Sequence, residues 1–296
     1  MTSSTDKILR VTTRAKVNLH LEVMRRRQDG FHEVETIMQS IGLSDEMDVT
    51  ARDDGVIDLT CTNPEIPVDD TNLCHRAVVA MRGFAGPSLG ATIVLRKNIP
   101  HGAGLGGGSA NAAGVMLALA RARFLEIAPD EMAKAAAALG SDVPFMLRGG
   151  TMLGRGRGEI LTPLASINSG YFLIVKPDLN ISTASVYANY SFRLTKHRAR
   201  INLKSVNAVL ARFPRATLSF RNALEDVVCP AHPVIANALD ELLSERPCFA
   251  SMTGSGSALF AVFERREQAE ETAERFSVKG FFTSIVEPAK RAVDIN

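Results

Sequence analysis

Five glycines stand within residues 102–108, and this cluster constrains the chain more than any other segment. Glycine lets the backbone come close to a bound group, but it loses more conformational entropy on folding than any other residue. A simple connection between two elements would not need so many. The alanine-rich residues 109–120 that follow predict a helix. Because a helix N-terminus offers unpaired N–H groups and a positive dipole end, the two segments together predict a phosphate site.

Two common phosphate loops do not fit this segment. Gly102, Gly104 and Gly107 have the spacing of the dinucleotide fingerprint, but that motif begins directly at the end of a strand. Here residues 96–100 intervene after a strand predicted at residues 91–95. No G-x-x-x-x-G-K-[ST] sequence occurs, which excludes a Walker A loop. The H-R-D and D-F-G motifs of protein kinases are also absent from the sequence.

The overall composition argues against several classes of partner. The chain has 34 Lys and Arg against 32 Asp and Glu, whereas a nucleic-acid binder normally shows a concentrated basic excess. We therefore expect no nucleic-acid partner, and any phosphate would bind at a local site. The four scattered cysteines form no C-x-x-C pair, which is typical of free thiols in a reducing compartment. With no secretory segment and no long apolar run, we expect a cytoplasmic protein that does not contact the membrane.

The patterns along the chain predict an α+β fold. Residues 15–23 alternate between apolar and polar and predict a half-buried strand, and Asp29-Gly30 predicts a turn into a second strand. Residues 149–158 are rich in Gly and Arg and predict a loop. Strands and helices mix without strict β-α-β alternation, which favours an α+β architecture over a doubly wound parallel sheet.

Four segments together resemble the GHMP family of small-molecule kinases, and their combination is far more specific than any one of them. They are Ala15-Lys16-Val17-Asn18-Leu19, Asp29-Gly30-Phe31-His32, the glycine segment at residues 100–113, and Leu139-Gly140-Ser141-Asp142-Val143-Pro144-Phe145. The resemblance implies two domains. Residues 1–165 would form a ribosomal-protein-S5-domain-2-like lobe that binds ATP, and residues 166–296 would form a ferredoxin-like lobe.

Within that family, the chain is most similar to the branch that phosphorylates the 2-hydroxyl of a CDP-linked methylerythritol in non-mevalonate isoprenoid synthesis. The resemblance implies ATP as co-substrate, Mg²⁺ as cofactor, and a monomer or homodimer. Two alternatives stay open at this point. A homoserine or mevalonate type of GHMP kinase would lack a cytosine pocket, and a non-catalytic module would bind ATP without turnover.

The resemblance assigns catalytic roles to Lys16 and Asp142. Asp142 would accept the proton of the attacking hydroxyl, although an acid at a helix start is also favoured by capping and by the dipole alone. Lys16 would stabilise charge on the phosphoryl group, with a solvated strand face as the alternative, and Asn18 would help to position the substrate. Ser109 is a possible Mg²⁺ ligand or only the helix N-cap. The implied ATP-binding residues are Pro100, His101, Gly102, Ala103, Gly104, Leu105, Gly106, Gly107, Gly108, Ser109 and Ala110.

The resemblance also implies a pocket for cytosine. Phe31, where the family usually has Tyr, would stack on the base, and His32 would form a hydrogen bond with it. Tyr187 would supply the second aromatic face, with a core aromatic as the alternative. Thr253 and Gly254, in a second loop of small residues, would contact the substrate phosphate, with a simple turn into the next strand as the alternative.

Overall fold

The computed structural model describes residues 7–190, 200–216 and 220–296. The strands in these ranges are β1 (Leu9–Arg26), β2 (His32–Arg52), β3 (Ile57–Cys61), β4 (Gly90–Arg96), β5 (Thr151–Arg155), β6 (Ile160–Pro163), β7 (Tyr171–Lys176), β8 (Phe249–Met252), β9 (Leu259–Phe263), β10 (Phe282–Val286) and β11 (Val293–Ile295). The helices are α1 (Leu73–Ala85), α2 (Gly107–Ala122), α3 (Pro129–Leu139), α4 (Val143–Arg148), α5 (Thr183–Asn189), α6 (Leu203–Leu210), α7 (Glu225–Ala231), α8 (Pro233–Ser244) and α9 (Arg266–Val278).

The first sheet is built around the long β1–β2 hairpin. Its strand order is β11-β1-β2-β4-β3, and β5 and β6 extend it from β2. Asp29-Gly30 lies in the hairpin turn as predicted, and Gly30 has a φ of +84°, which suits glycine. Helices α1, α2 and α4 pack on this sheet around a core in which the α2 residues Val115, Met116 and Leu119 are fully buried. This core fixes the direction of α2 and therefore where its N-terminus lies.

The second sheet has four antiparallel strands in the order β10-β7-β9-β8. Along the chain its elements alternate as strand, helices, strand, strand, helix, strand, which is the ferredoxin-like arrangement. The predicted α+β class with a ferredoxin-like second lobe is thus confirmed. The chain changes sheets between β6 and β7, around the predicted boundary at residue 165, which itself stays a prediction. The last strand, β11, returns to the first sheet and pairs with β1.

A core between the two sheets joins the lobes. It contains Val17 and Leu19 from β1 and Phe172 and Phe260 from the second sheet, all fully buried. Burying each of these side chains contributes about 1.5–3 kcal/mol. The strand that carries the predicted catalytic lysine is therefore held by both lobes.

Two predictions about local structure are wrong. Residues 15–23 do not form a half-buried strand, because the polar residues Lys16 and Asn18 are each only 3% exposed beneath parts of both lobes. Within the predicted loop at residues 149–158, β5 forms by pairing with residues 36–39 of β2. Strand formation depends on the partners that a segment meets. The local pattern shows neither which residues will cover a strand nor which strand it will pair with.

Within the described ranges, no helix is both long and apolar enough to cross a membrane. The four cysteines, Cys61, Cys74, Cys229 and Cys248, are free thiols, as their spacing predicted. Burial raises the pKa of the Cys74 thiol to about 12, so that it stays protonated and behaves as a small core residue.

Candidate active site

A cavity of about 1050 Å³ is lined by residues from both lobes. It brings together the end of the glycine loop, the polar face of β1, the tip of the β1–β2 hairpin and helix α5. Most of the predicted site residues form its wall, namely Lys16, Asn18, Phe31, His32, Pro100, His101, Gly102, Ala103, Gly104, Leu105, Gly106, Gly107, Gly108, Ser109, Asp142, Tyr187 and Gly254. Segments far apart in the sequence thus converge on a single cleft.

The glycine loop leads directly into α2. Gly102, Gly104 and Gly106 have φ values of +64°, +75° and +71°, a region that favours glycine. Gly106 is the N-cap and α2 begins at Gly107, so the alternative that Ser109 is the N-cap is wrong. The first N–H groups of a helix have no acceptor within the helix, and Gly107 to Ser109 line the cavity. The arrangement can therefore bind an anion through the backbone.

The glycines also permit close packing, between the lobes at Gly104 and within the first lobe at Gly106. A Cβ atom on Gly104 would lie 2.2 Å from the carbonyl oxygen of Thr253, and one on Gly106 would lie 2.5 Å from Cε of Met146. Real Cβ atoms do not come so near. At Gly104 the obstacle is backbone, so glycine is required there by the fold itself, in addition to any ligand. At Gly106 the neighbour is the flexible end of Met146, and the positive φ is the constraint. The sequence alone suggested only that these glycines make room for a ligand.

Lys16 is held at the centre of the cleft by three oxygen atoms. Its Nζ donates hydrogen bonds to Oδ1 of Asn18 at 2.6 Å and to the carbonyl oxygen of Gly104 at 2.9 Å. The same Nζ lies 3.5 Å from Oδ2 of Asp142. With only 3% of Lys16 exposed, the alternative of a solvated strand face is wrong. A buried ammonium with one side open to the cleft is suited to an anionic group there.

Asp142 occupies the position before α4, but its carboxylate caps nothing in the described backbone. About one third of its side chain is exposed, and it lines the cavity. The capping alternative is therefore wrong, which leaves the helix dipole as its structural benefit. A carboxylate that is partly open to the cleft and paired with a lysine can accept a proton from a bound hydroxyl.

Asn18 and Thr253 tie β1 to the loop after β8. The backbone N–H of Asn18 donates to Oγ1 of Thr253 at 3.1 Å, and its Nδ2 donates to Oγ1 of Thr36 at 2.8 Å. Thr253 in turn donates to the carbonyl oxygen of Gly104 at 3.2 Å. Thr253 and Ala110 are fully buried behind the cavity wall, whereas Gly254 lies on it.

At the other end of the cleft, aromatic side chains cluster around the hairpin tip. The rings of His32 and Tyr187 lie 5.2 Å apart, and Phe31 is 52% exposed. Burial, followed by the charge of Arg26, lowers the pKa of His32, so its ring is neutral at neutral pH. Burial and then the charge of Asp142 raise the pKa of Tyr187, whose hydroxyl therefore stays protonated.

Two further groups were missed from the sequence. The guanidinium carbon of Arg157, in the turn after β5, lies 4.8 Å from the centre of the Phe31 ring. The Gly- and Arg-rich composition of that turn was the available signal. The second is a buried ion pair between Lys97 and Asp45, which Asn111 of α2 joins by a hydrogen bond of 2.9 Å.

The Lys97 ion pair lies directly beneath the start of α2. A Cβ atom on Gly107 would be 3.0 Å from Nζ of Lys97. Oδ1 of Asp45 accepts backbone hydrogen bonds from Asn98 at 2.7 Å and Ile99 at 2.8 Å. These bonds fix the chain that enters the glycine loop. They also place the Lys97 ammonium, as part of a neutral pair with Asp45, at the cavity wall beside the helix N-terminus.

Comparison with known proteins gives a consistent result. The family model for the GHMP kinases N terminal domain matches residues 72–150, and the model for GHMP kinases C terminal matches residues 202–280. A protein from Alkaliphilus metalliredigens named 4-diphosphocytidyl-2-C-methyl-D-erythritol kinase is 35% identical over 287 residues, which cover 96% of this chain and 98% of the relative. One of the same name from Syntrophus aciditrophicus is 37% identical over 264 residues, which cover 89% and 93%.

Solved structures show the same fold. A crystal structure of 4-(cytidine 5'-diphospho)-2C-methyl-D-erythritol kinase superposes with a TM-score of 0.79 at 31% identity and covers 95% of this chain and 100% of its own. Homoserine kinase from Cytophaga hutchinsonii superposes with a TM-score of 0.71 over 100% of this chain and 99% of its own. Its identity is only 18%, so that likeness extends to the fold alone.

Proposed function

The chain belongs to the 4-diphosphocytidyl-2-C-methyl-D-erythritol kinases of the GHMP kinase family, and we propose that Asp142 and Lys16 carry out its phosphoryl transfer. It is an ATP-dependent phosphotransferase with an alcohol acceptor in isoprenoid synthesis. The homoserine and mevalonate alternatives are not supported, because those kinases match at 14–18% identity whereas relatives at 35–39% identity carry the first name. That these relatives are named as kinases also argues against a non-catalytic module.

The observation that carries the mechanism is the 3.5 Å pair of Lys16 Nζ and Asp142 Oδ2 on the cleft wall. We propose that the 2-hydroxyl of the acceptor lies against Asp142, which takes its proton. The acceptor oxygen forms a bond to the γ-phosphorus while the bond to the bridging oxygen breaks, and ADP leaves with that electron pair. Lys16 stabilises the negative charge on the transferred oxygens. A general base contributes about 100- to 10,000-fold, and the remainder comes from positioning and electrostatics.

The triphosphate of ATP would bind at the start of α2. The backbone N–H groups of Gly107, Gly108 and Ser109 supply the hydrogen bonds, and the Lys97 ammonium, which is paired with Asp45, lines the cavity beside them. The adenine would lie nearby, against the part of the wall that Asn72 lines. The Asn72 side chain is fixed there, because its Oδ1 accepts from the Cys74 N–H at 2.8 Å and its Nδ2 donates to the carbonyl oxygen of Pro67 at 2.6 Å.

The residues present also fit Mg²⁺. The hydroxyl of Ser109 and the carboxylate of Asp142 line the same cavity, and the described residues contain no cluster of three acidic, His or Cys side chains that could hold a metal alone. Mg²⁺ is usually bound by one or two protein oxygens together with substrate phosphates, so this donor set suits it. When bound, it would neutralise charge on the phosphate oxygens. We propose Ser109 as its protein ligand, with the phosphate oxygens supplying further ligands, while Asp142 stays available as the base.

The base would bind at the hairpin tip. Phe31 and Tyr187 offer flat aromatic faces, and the neutral ring of His32 can both donate and accept a hydrogen bond at the polar edge of cytosine. The loss of the tyrosine hydroxyl at position 31 leaves stacking intact. Location in the cytoplasm, a monomer or homodimer, and partners limited to small molecules complete the proposal.

The decisive experiment is Asp142→Asn, measured as ADP release with the CDP-linked methylerythritol and, in parallel, with homoserine and mevalonate. We expect kcat to fall by at least about 100-fold while ATP binding changes little. Asp130→Asn is a matched control, because Asp130 also stands at the start of a helix but is exposed and outside the cleft. Near-normal turnover of Asp142→Asn would remove Asp142 from the role of base. Competition by CMP or CDP tests the cytosine pocket separately.

A further inference from the structure

Asn222 lies at the junction of the two lobes and has no part in the mechanism above. The residues on either side of it pair with the middle of β1. The Leu21 N–H donates to the carbonyl of Arg221 at 2.8 Å, and the Ala223 N–H donates to the carbonyl of Leu21 at 2.8 Å. Asn222 itself is 2% exposed. The backbone around Asn222 is therefore fixed to the strand that carries Lys16 and Asn18.

The side chain of Asn222 forms hydrogen bonds with the loop after β8, on the side away from the cavity. Its Nδ2 donates to the carbonyl oxygen of Met252 at 2.8 Å and to that of Gly254 at 2.7 Å. Its Oδ1 accepts from the Leu224 N–H at 3.0 Å. Both amide hydrogens thus bind carbonyls on the two sides of Thr253. A buried amide with this many partners fixes the conformation of the loop.

The loop that Asn222 holds faces the reacting groups. The Thr253 hydroxyl contacts the carbonyl oxygen of Gly104, and a Cβ atom on Gly254 would lie 3.5 Å from Nζ of Lys16. That imaginary atom would also lie 3.2 Å from the Gly104 backbone. A shift of the loop would therefore change its distance from both the Lys16 ammonium and the Gly104 backbone.

Glu225 anchors the same loop one residue earlier. Its Oε1 accepts from Oγ of Ser251 at 2.6 Å and from the N–H of Met252 at 2.8 Å. Glu225 and Asn222 belong to one short stretch at the start of α7. Two side chains from this stretch thus fix the path of the chain just before and through the cleft loop.

We propose that Asn222 is a positioning residue that sets the Thr253–Gly254 segment against Lys16 and the glycine loop. The proposal rests on the proposed role of Lys16. Asn222→Asp keeps the size and the acceptor for Leu224 but places carboxylate oxygens against two carbonyls. We expect kcat to fall about 10- to 100-fold, because misplacement by about 1 Å costs up to about 100-fold, and the KM for ATP to change less than about threefold.

A double-mutant cycle distinguishes positioning from general support of the fold. Thr253→Val removes the loop's hydroxyl contacts. If Asn222 acts through this loop, Asn222→Asp combined with Thr253→Val lowers kcat little below the more damaged single variant. If the losses in kcat of the two single variants multiply in the double variant, the proposal is wrong. A kcat of Asn222→Asp within about twofold of the wild type would also overturn it.

Asn207→Asp serves as the matched control, because the Asn207 Oδ1 accepts one backbone hydrogen bond, from Ala165, away from the cleft. Its kcat should match that of the wild type. If Asn222→Asp does not fold, Asn222→Ser keeps one donor and enters the same cycle. Failure of the proposed mechanism would show independently as normal turnover of Asp142→Asn. The double-mutant cycle requires only that the wild type turns over substrate, so its result does not depend on the result for Asp142→Asn.

Discussion

The two ends of the cleft differ in which groups line them, backbone at one end and side chains at the other. At the end where we propose that the triphosphate binds, the phosphate end, the backbone itself lines the cleft, and Gly104 leaves no room for a Cβ atom. At the end where we propose that cytosine binds, the base end, the lining consists of side chains on a hairpin tip and a short helix, and Phe31 is 52% exposed. A backbone site depends on packing across both lobes, whereas a side-chain site can exchange one aromatic ring for another. The difference explains why position 31 can carry Phe in place of Tyr while the glycine loop is strictly constrained.

The charges at the two ends differ in the same way. The Lys97–Asp45 pair at the phosphate end is almost completely buried, so removing one partner would leave the other charge uncompensated. The Arg27–Asp29 pair at the hairpin tip is exposed, and the Arg27 hydrogen bond lowers the pKa of Asp29. Solvent screens such a pair. The phosphate end therefore depends on its charges for its structure far more than the base end does.

The largest effect should come from Gly104→Ala. The new Cβ atom meets the Thr253 carbonyl, and alanine is strained at a φ of +75°. We expect the free energy of unfolding to fall by about 3 kcal/mol or more and activity to be lost. Urea unfolding and ADP release measure the two effects.

Gly280→Ala is the matched control for that prediction. Gly280 has a similar φ of +82°, but among the described residues no atom lies within 4 Å of the position that its Cβ would take. Its free energy of unfolding should fall only by the backbone strain of about 1–2 kcal/mol, and its turnover should stay normal. Equal losses in the two variants would show that backbone strain, and not packing between the lobes, is what requires glycine at position 104.

An intermediate effect is expected for Phe31→Ala. Stacking of a base on an aromatic ring contributes about 1–3 kcal/mol, so the KM for the cytidine substrate should rise about tenfold or more. The KM for ATP should stay within about twofold. Steady-state kinetics with each substrate varied in turn give both values. Phe31→Tyr should bind substrate as the wild type does, and a parallel rise of both KM values in Phe31→Ala would indicate a supporting role in the fold instead.

The smallest effect should come from Arg157→Met. This change keeps most of the side-chain length but removes the cation over the Phe31 ring, an interaction of about 0.5–1 kcal/mol at an exposed site. The KM for the cytidine substrate should rise about two- to fivefold with kcat unchanged. Arg157→Lys should retain part of the effect. If Arg157→Met matches the wild type, the guanidinium has no role in holding Phe31 for the base.

The two ends also differ in how much of them the residues alone could predict. The α2 helix, the hairpin turn at Asp29-Gly30 and the α+β class followed from local patterns, because periodicity and turn chemistry act over a few residues. The resemblance to the kinase family assigned Lys16, Phe31 and Asp142 to one site. Arg157 was missed, since its contact with Phe31 joins a turn to a hairpin tip more than a hundred positions away.

The sequence by itself determined that a glycine loop opens a helix, it predicted a phosphate site there, and it indicated which family of kinases the chain resembles. Only the tertiary structure decided that Lys16 is buried, that Gly104 is needed for packing against Thr253, and that Asn222 holds the loop behind them. The physical reason is distance along the chain. Local patterns report the conformation of neighbouring residues, whereas burial and close approach depend on segments that meet only when both lobes have folded.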